Sequence, residues 1–313
     1  MNPEEILRMI SAKEDGGKRL DAAEVAHLTR QLEFVKARTY DVKYAALRAR
    51  DFIPLSTEVD PAADTITYQQ WDEVGAAKII ANYADDLPMV DAFAREFKSK
   101  VFSAGAAYQY SIQDLRRATK AGSSLDVKRA RAARRAIEAT IDEIAATGLD
   151  EGGLPGFVNH PNVPIVLPDT GNWLTATATQ ILADLAKLVG SVVTSMKSIF
   201  KPNTVLMGTS LFVRLAQLYT DTTNQVTVLR SFLNVSPWIT NIDEWDKLDT
   251  AAADGGPRVI AYLRDSEVCE LEIPLDFEQL PPQARGLAFV VNCHARIGGT
   301  KVYHPLAIAY MDP

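Results

Sequence analysis

The sequence is poor in the residues that perform chemistry. Only two of its 313 residues are cysteine and only four are histidine. Cys269 and Cys293 lie in separate apolar segments without CxxC spacing, too few and too far apart for a disulfide scaffold or a thiolate zinc site. They read as two buried free thiols in a reducing compartment. His27, His160, His294 and His304 show neither HExxH nor metal-triad spacing. No GxGxxG, Walker loop or GxSxG occurs, and Ser210 in "MGTSLF" reads as a helix cap. Acid pairs such as Asp85-Asp86 and Asp142-Glu143 read as solvated surface, because glycosidase-type chemistry needs two carboxylates facing across a cleft. No catalytic, cofactor-binding or metal-binding residue is therefore assigned. No run approaches the 18 apolar residues of a membrane span, and "MNPEEILRMI" is not a signal peptide, so a soluble, cytoplasmically made protein without membrane partners is expected. Excess positive charge is also missing: the net charge is -7 and the pI about 5.2, which excludes a whole-protein basic footprint for nucleic acid.

What is present is ordinary globular composition, 47% hydrophobic and 23% charged, over a length that suits one large or two modest domains. Residues 21–49 read as a helix with Val25, Leu28, Leu32, Val35 and Leu47 on one stripe, and no partner for that stripe is close in sequence. "DFIPLSTEVDPAADT" reads as an extended connector. Residues 66–80 and 100–112 alternate as two long strands, with Tyr108, Tyr110 and Ile112 on one face, joined by an extended acidic tip. Such a ribbon is marginal alone and calls for a neighbouring subunit.

The strongest helix signal is residues 123–148, with Ser123 and Asp126 as a capping box and Gly148 at C′. About 24 residues make a helix of roughly 36 Å. Val127, Ala130, Ala133, Ile137, Ile141 and Ile144 form a narrow stripe. Lys128, Arg129, Arg131, Arg134 and Arg135 fill the first half, and Glu138, Asp142 and Glu143 the second. That order opposes the helix dipole. A complementary partner surface and simple solvation explain it equally well.

Residues 172–200 read as a second long helix with Ile181, Leu182, Leu185, Leu188, Val192 and Val193 inward, followed by a strand at 204–207 and a helix capped by Thr209 or Ser210. Residues 223–254 read as a loop around short strands. The end is β: 258–264, 268–274, then 286–299 and 300–311 as a hairpin turning at Gly298-Gly299. His294 and His304 could face each other across it, a chance pairing rather than a site. Between the two long helices lies "GLPGFVNHPNVPI", whose glycines, prolines and asparagines make a stiff kinked link. His160 has no acid or nucleophile within five residues and reads as a hydrogen-bonding filler.

The segment "GLPGFVNHPNV" directly after a long Ala/Arg/Glu helix, and the ending "ARIGGTKVYHPLAIAYM", resemble the major capsid proteins of tailed bacteriophages, the Hong Kong phage capsid fold. The order of segments along nearly the whole chain carries the resemblance. It implies an α+β fold with an N-terminal arm (1–60), an extended β-loop (61–113), a P-domain containing the spine helix (114–171), an α/β A-domain (172–276) and closing strands (277–313). In the closing hairpin, Arg296 would start one strand and His304-Pro305 would sit in the last. No large N-terminal scaffolding segment is read, which fits a mature-length subunit or a separate scaffold. The resemblance further implies a structural subunit, not an enzyme, that self-assembles into pentamers and hexamers of an icosahedral shell around double-stranded DNA. Scaffolding, portal and decoration proteins would be partners, and the virion capsid the destination after synthesis in the bacterial host cytoplasm. Some relatives crosslink a lysine to an asparagine; Lys78, Lys98 and Lys100 lie in the candidate loop, nothing singles out their partners, and no crosslink is expected. A cellular encapsulin-type nanocompartment shell, a hydrolase with a site near His160, and a monomeric binding module are the alternatives.

Overall fold

A computed structural model of the chain describes residues 44–79, 88–121, 125–221 and 226–313. The chain divides into two units, Met1–Ala46 and Leu47–Pro313. Of the first, only residues 44–46 are described, without regular secondary structure, so the expected helix at 21–49 and the 123/126 capping box fall largely outside the described residues. The rest concerns the second unit.

In chain order, α1 (Ala49–Phe52) and β1 (Leu55–Ser56) precede three ten-residue strands, β2 (Thr65–Val74), β3 (Asp91–Lys100) and β4 (Phe102–Ser111). Helices α2 (Ile112–Ala121) and α3 (Leu125–Thr147) follow, then the small hairpin β5 (Gly148–Leu149) and β6 (Leu154–Pro155). Next come α4 (Ala178–Ser195), β7 (Thr204–Met207), α5 (Thr209–Gln217), β8 (Tyr219–Asp221), β9 (Val226–Thr227), α6 (Val228–Val235) and β10 (Asn241–Glu244). Seven strands close the chain: β11 (Val259–Tyr262), β12 (Cys269–Glu272), β13 (Leu275–Gln279), β14 (Gln283–Arg285), β15 (Ala288–Ile297), β16 (Gly299–Val302) and β17 (Ile308–Met311).

Two hydrophobic cores lie on opposite faces of one four-stranded sheet, ordered β10-β7-β11-β17. Its strands β7, β11 and β17 are buried along their whole length and almost wholly apolar because both faces are covered, whereas edge strand β10 is polar and half-buried. Val205, Met207, Val259, Ala261, Ala309 and Met311 pack with Ile181, Leu185 and Leu188 of α4. The alternate residues Leu206, Ile260, Tyr262, Ile308 and Tyr310 join the core beneath α3. A second sheet is built on β15, flanked by β13 and β14 on one edge and by β4 on the other. Val291, Cys293, Ala295 and Ile297 point from it into the α3 core, where Ala133, Ile137, Ile141 and Ile144 meet them. Both cysteines are buried and unbridged.

The extended ribbon is β2 paired with β3, in register from Thr65–Lys100 to Val74–Asp91. The expected second strand, 100–112, instead forms β4, which pairs with β15 over ten residues from Ala288–Ser111 to Ile297–Phe102. Its alternation was the stronger because β4 has one face in the core, with Tyr108 and Tyr110 pointing there; β3 is exposed on both faces, so nothing imposes a period on it. The expected closing hairpin is absent for a similar reason. Gly299 bends the chain at φ +77°, but β16 pairs with β12 and β17 with β11. A glycine signals a bend, not the partner beyond it. Arg296 accordingly lies near the end of β15, and His304-Pro305 in a connection between strands.

Other boundaries shift by identifiable causes. The helix expected at 172–200 is α4 alone: Thr177 and Gln180 form a capping box, Asn172 caps a preceding turn, and Lys197 and Ser198 adopt positive φ past its end. Thr209 and Ser210 do not cap α5; Gly208 holds that position, and Asp249 accepts hydrogen bonds from the Ser210 backbone and hydroxyl. The region 223–254 contains α6, capped by Thr227, with Val228 and Phe232 buried one turn apart. Val127, expected on the inner stripe of α3, is 54% exposed. Within the segment expected to be arm, Phe52 and Ile53 are core residues.

Candidate assembly surfaces

The ribbon is the most exposed part of the unit. Alternation and register place Tyr68, Val74, Phe93 and Phe97 on one face and Trp71 on the other. Tyr68 and Phe97 stack at 5.0 Å near the base. Further out, Trp71 is 65% exposed and Phe93 55%. Residues 72–91 carry five acids and one lysine. Apolar surface of this kind on a soluble body marks an interaction site.

A second surface is a cleft of about 360 Å³ beside the basic half of α3. Val127, Ala130, Arg131 and Arg134, at i, i+3, i+4 and i+7, face Tyr108 of β4 and Phe277 and Gln279 of β13. Arg134 lies 5.7 Å from the Phe277 ring centre. The floor is apolar and the rim cationic.

The acidic half of α3 is used inside the chain. Asp142 is buried and its carboxylate accepts the Ala49 N–H at 2.9 Å; burial raises its pKa. Arg50 pairs with Glu138 at 3.1 Å and with Asp276 at 2.9 Å. Lys247 pairs with Glu143. Of the Asp142-Glu143 pair, expected as solvated surface, Glu143 is exposed and Asp142 is buried; both carboxylates hold neighbouring segments against α3, Asp142 the start of α1 and Glu143 the 246–250 turn, an intramolecular reason for charges that work against the helix dipole.

The Gly/Pro/Asn link is locked to the last strand. Tyr310 donates its hydroxyl proton to the Phe157 carbonyl at 2.5 Å and accepts from the His160 N–H at 3.2 Å. Arg258, 4% exposed, makes a bidentate pair with Asp312 at 2.7 Å and donates to the Val158 carbonyl. The Asn159 side chain accepts from Gly156 N–H and donates to the Thr147 carbonyl. A Cβ at Gly156 would lie 2.1 Å from the Ala146 carbonyl oxygen. His160 is buried, which pushes its pKa down, and its Nδ1 accepts the Asn162 N–H. Its hydrogen bonds go to the Asn162 backbone and to Tyr310, as a filler requires. His294 stands opposite Gly105 and Glu278, and His304 packs 5.0 Å from Phe200, so the two do not meet. Among the described residues no group of three or more His, Cys, Asp or Glu could hold a metal, and no helix is long and apolar enough to cross a membrane.

The functional features that sequence reasoning missed are the cleft and the acids paired within the chain. A signal existed for the acids, whose position ran against the dipole; none existed for the cleft, which depends on β13.

A two-core body bearing a reaching ribbon, with its features concentrated in contact surfaces, is a structural subunit with a capsid fold. The chain belongs to the major capsid protein family, whose model matches residues 75–313. Among solved structures, the capsid of Myoviridae phage XM1 superposes with a TM-score of 0.79 at 18% identity, covering 95% of this chain and 99% of that one. A chain of Mycobacterium phage Bobi gives 0.61 at 15% identity, covering 95% and 99%. A virus-like particle from Pyrococcus furiosus gives 0.52 at 12%, covering 84% and 91%. A comparison with curated proteins found no match. The chain is thus a capsid component that assembles with further copies of itself; the nanocompartment alternative is not favoured.

Proposed function

We propose that the chain is the shell subunit of a tailed bacteriophage, closing as pentamers and hexamers into an icosahedral capsid around double-stranded DNA. The observation that carries this is the ribbon, whose outer aromatic residues Trp71 and Phe93 find little cover among the described residues. Identical copies supply that cover by symmetry. Its acidic, apolar outer half matches the basic-rimmed, apolar-floored cleft beside α3 in sign and in character, so a neighbouring copy's cleft is its receiving surface. In this reading residues 1–46 and the ribbon reach to neighbours, the α3 and β15 layer forms the shell wall, and the α4–β11 region gathers at the capsomer axis. DNA is held without sequence readout, through its phosphate field. Scaffolding and portal proteins, and in some shells decoration proteins, complete the assembly in the host cytoplasm. The role is structural, without catalysis or covalent crosslinking.

The test is the particle itself. Full-length protein, expressed with a scaffold if needed, should form closed shells by electron microscopy, and the double variant Trp71→Ser/Phe93→Ser should remain folded but unassembled. A chain that stays monomeric under all these conditions contradicts the reading.

A further inference from the structure

The two halves of α3 are charged for different reasons. Its acids Glu138, Asp142 and Glu143 each hold a neighbouring segment of the chain. Its bases lie toward the positive end of the helix dipole, where cations raise the energy of a helix and an anion lowers it. The surplus of bases continues back into α2. Residues 112–135 carry eight Lys and Arg against two acids, Asp114 and Asp126, in a chain whose net charge is -7.

α2 and α3 stand side by side here. Arg129 of α3 donates to the Gln109 carbonyl at 2.5 Å and lies 3.6 Å from Asp114 in the first turn of α2. Only residues 122–124 separate the two helices. Arg129 is thus used to hold the pair together, Arg117 lies 4.0 Å from the same Asp114, and Arg131 and Arg134 line the cleft. Arg116, Lys120 and Lys128 are left. All three are exposed and have no ion pair or hydrogen bond among the described residues. Arg116 and Lys120, at i and i+4, share one face of α2. Ala132 and Ala136, exposed at i+4 and i+8 from Lys128, continue its face of α3 without an acid or a bulky group.

We infer that this basic α2–α3 face is the surface on which double-stranded DNA rests, and that it therefore looks into the shell. The inference rests on the shell-subunit reading and adds the contact surface that reading leaves open. Duplex DNA presents one negative charge per about 1.7 Å of axis, a polyanion that matches a row of exposed cations without fixed partners. Residues 112–135 contain no aromatic side chain, so the face offers nothing for the bases of a single strand to stack on. The acidic ribbon of a neighbouring copy has its own counterpart in Arg131 and Arg134 at the cleft, which leaves Arg116, Lys120 and Lys128 to phosphate.

The test is duplex binding by full-length, unassembled subunits, followed by fluorescence anisotropy between roughly 50 and 200 mM salt. Two labelled duplexes of unrelated sequence should bind equally, with log K falling linearly as log salt rises. Arg116→Gln/Lys120→Gln/Lys128→Gln should bind about tenfold or more weakly at the lowest salt, with a slope smaller by about two to three. Lys197→Gln/Arg230→Gln/Arg285→Gln, which removes the same charge from exposed positions elsewhere, should bind as the natural chain does. Should the first triple variant not fold, Lys128→Gln alone carries the test, lowering the slope by about one. Both triple variants should still close into shells, since neither the ribbon nor the cleft is altered. No duplex binding by the natural chain, undiminished binding by the α2–α3 variant, or an equal loss in the charge-matched variant would overturn the inference. A natural chain that binds duplex through these three residues yet closes no shell would contradict the shell-subunit reading alone.

Discussion

At the scale of single residues, the buried carboxylates do different work according to their hydrogen bonds. Asp184 is fully buried and accepts from Asp169 N–H, Thr170 N–H and hydroxyl, and Trp173 Nε1–H. Burial alone would raise its pKa; these donors outweigh burial and hold it below the usual range. A depressed carboxylate contributes stability that is present above its unfolded pKa and lost as pH falls through the folded one. Asp184→Ala should cost about 3 kcal/mol in urea unfolding at pH 7, because buried donors lose their acceptor, and the loss should shrink below about pH 4. Asp142 has the opposite sign. Its raised pKa means that ionisation opposes folding as pH rises above the unfolded value. Asp142→Asn should leave stability at pH 7 equal or higher, and should flatten the decline that begins as pH rises above about 4. His160 was legible as a filler, because two flanking residues of turn chemistry and no nearby acid predicted its surroundings. Asp184 was not, because its donors lie 11 to 15 residues upstream in a turn that helical periodicity absorbed.

At the scale of elements, legibility followed burial. The strand Thr204–Met207 and the long helix α3 were evident because each has a face, or two faces, in a core. Ribbon strand β3 was hidden because it has none, and the partners of β15, β16 and β17 were hidden because pairing is a long-range property that a turn residue does not encode. The Gly/Pro/Asn link was legible in composition, and the structure supplies its reason. Gly156 passes so close to the end of α3 that any side chain collides with backbone. Gly156→Ala should therefore destabilise the fold by about 3 kcal/mol, measured by thermal unfolding. In α3, Ile141 is 1% exposed, so Ile141→Ala should cost about 3 kcal/mol through cavity formation. Neither change touches the ribbon.

At the scale of the whole molecule, the unit from Leu47 to Pro313 is complete in its cores and incomplete on its surface. Both faces of its central sheet are covered, yet the ribbon's outer aromatic residues and the basic-rimmed cleft are open. That contrast separates two classes of variant. Core variants such as Ile141→Ala should lower stability and assembly together, whereas ribbon variants should abolish assembly at unchanged unfolding temperature. The most direct measurement is the mass of particles formed by the full-length chain beside its Trp71→Ser/Phe93→Ser variant. Closed megadalton shells from the former and folded 34 kDa subunits from the latter are predicted; equal assembly by both would contradict the claim that the ribbon is completed by neighbouring copies.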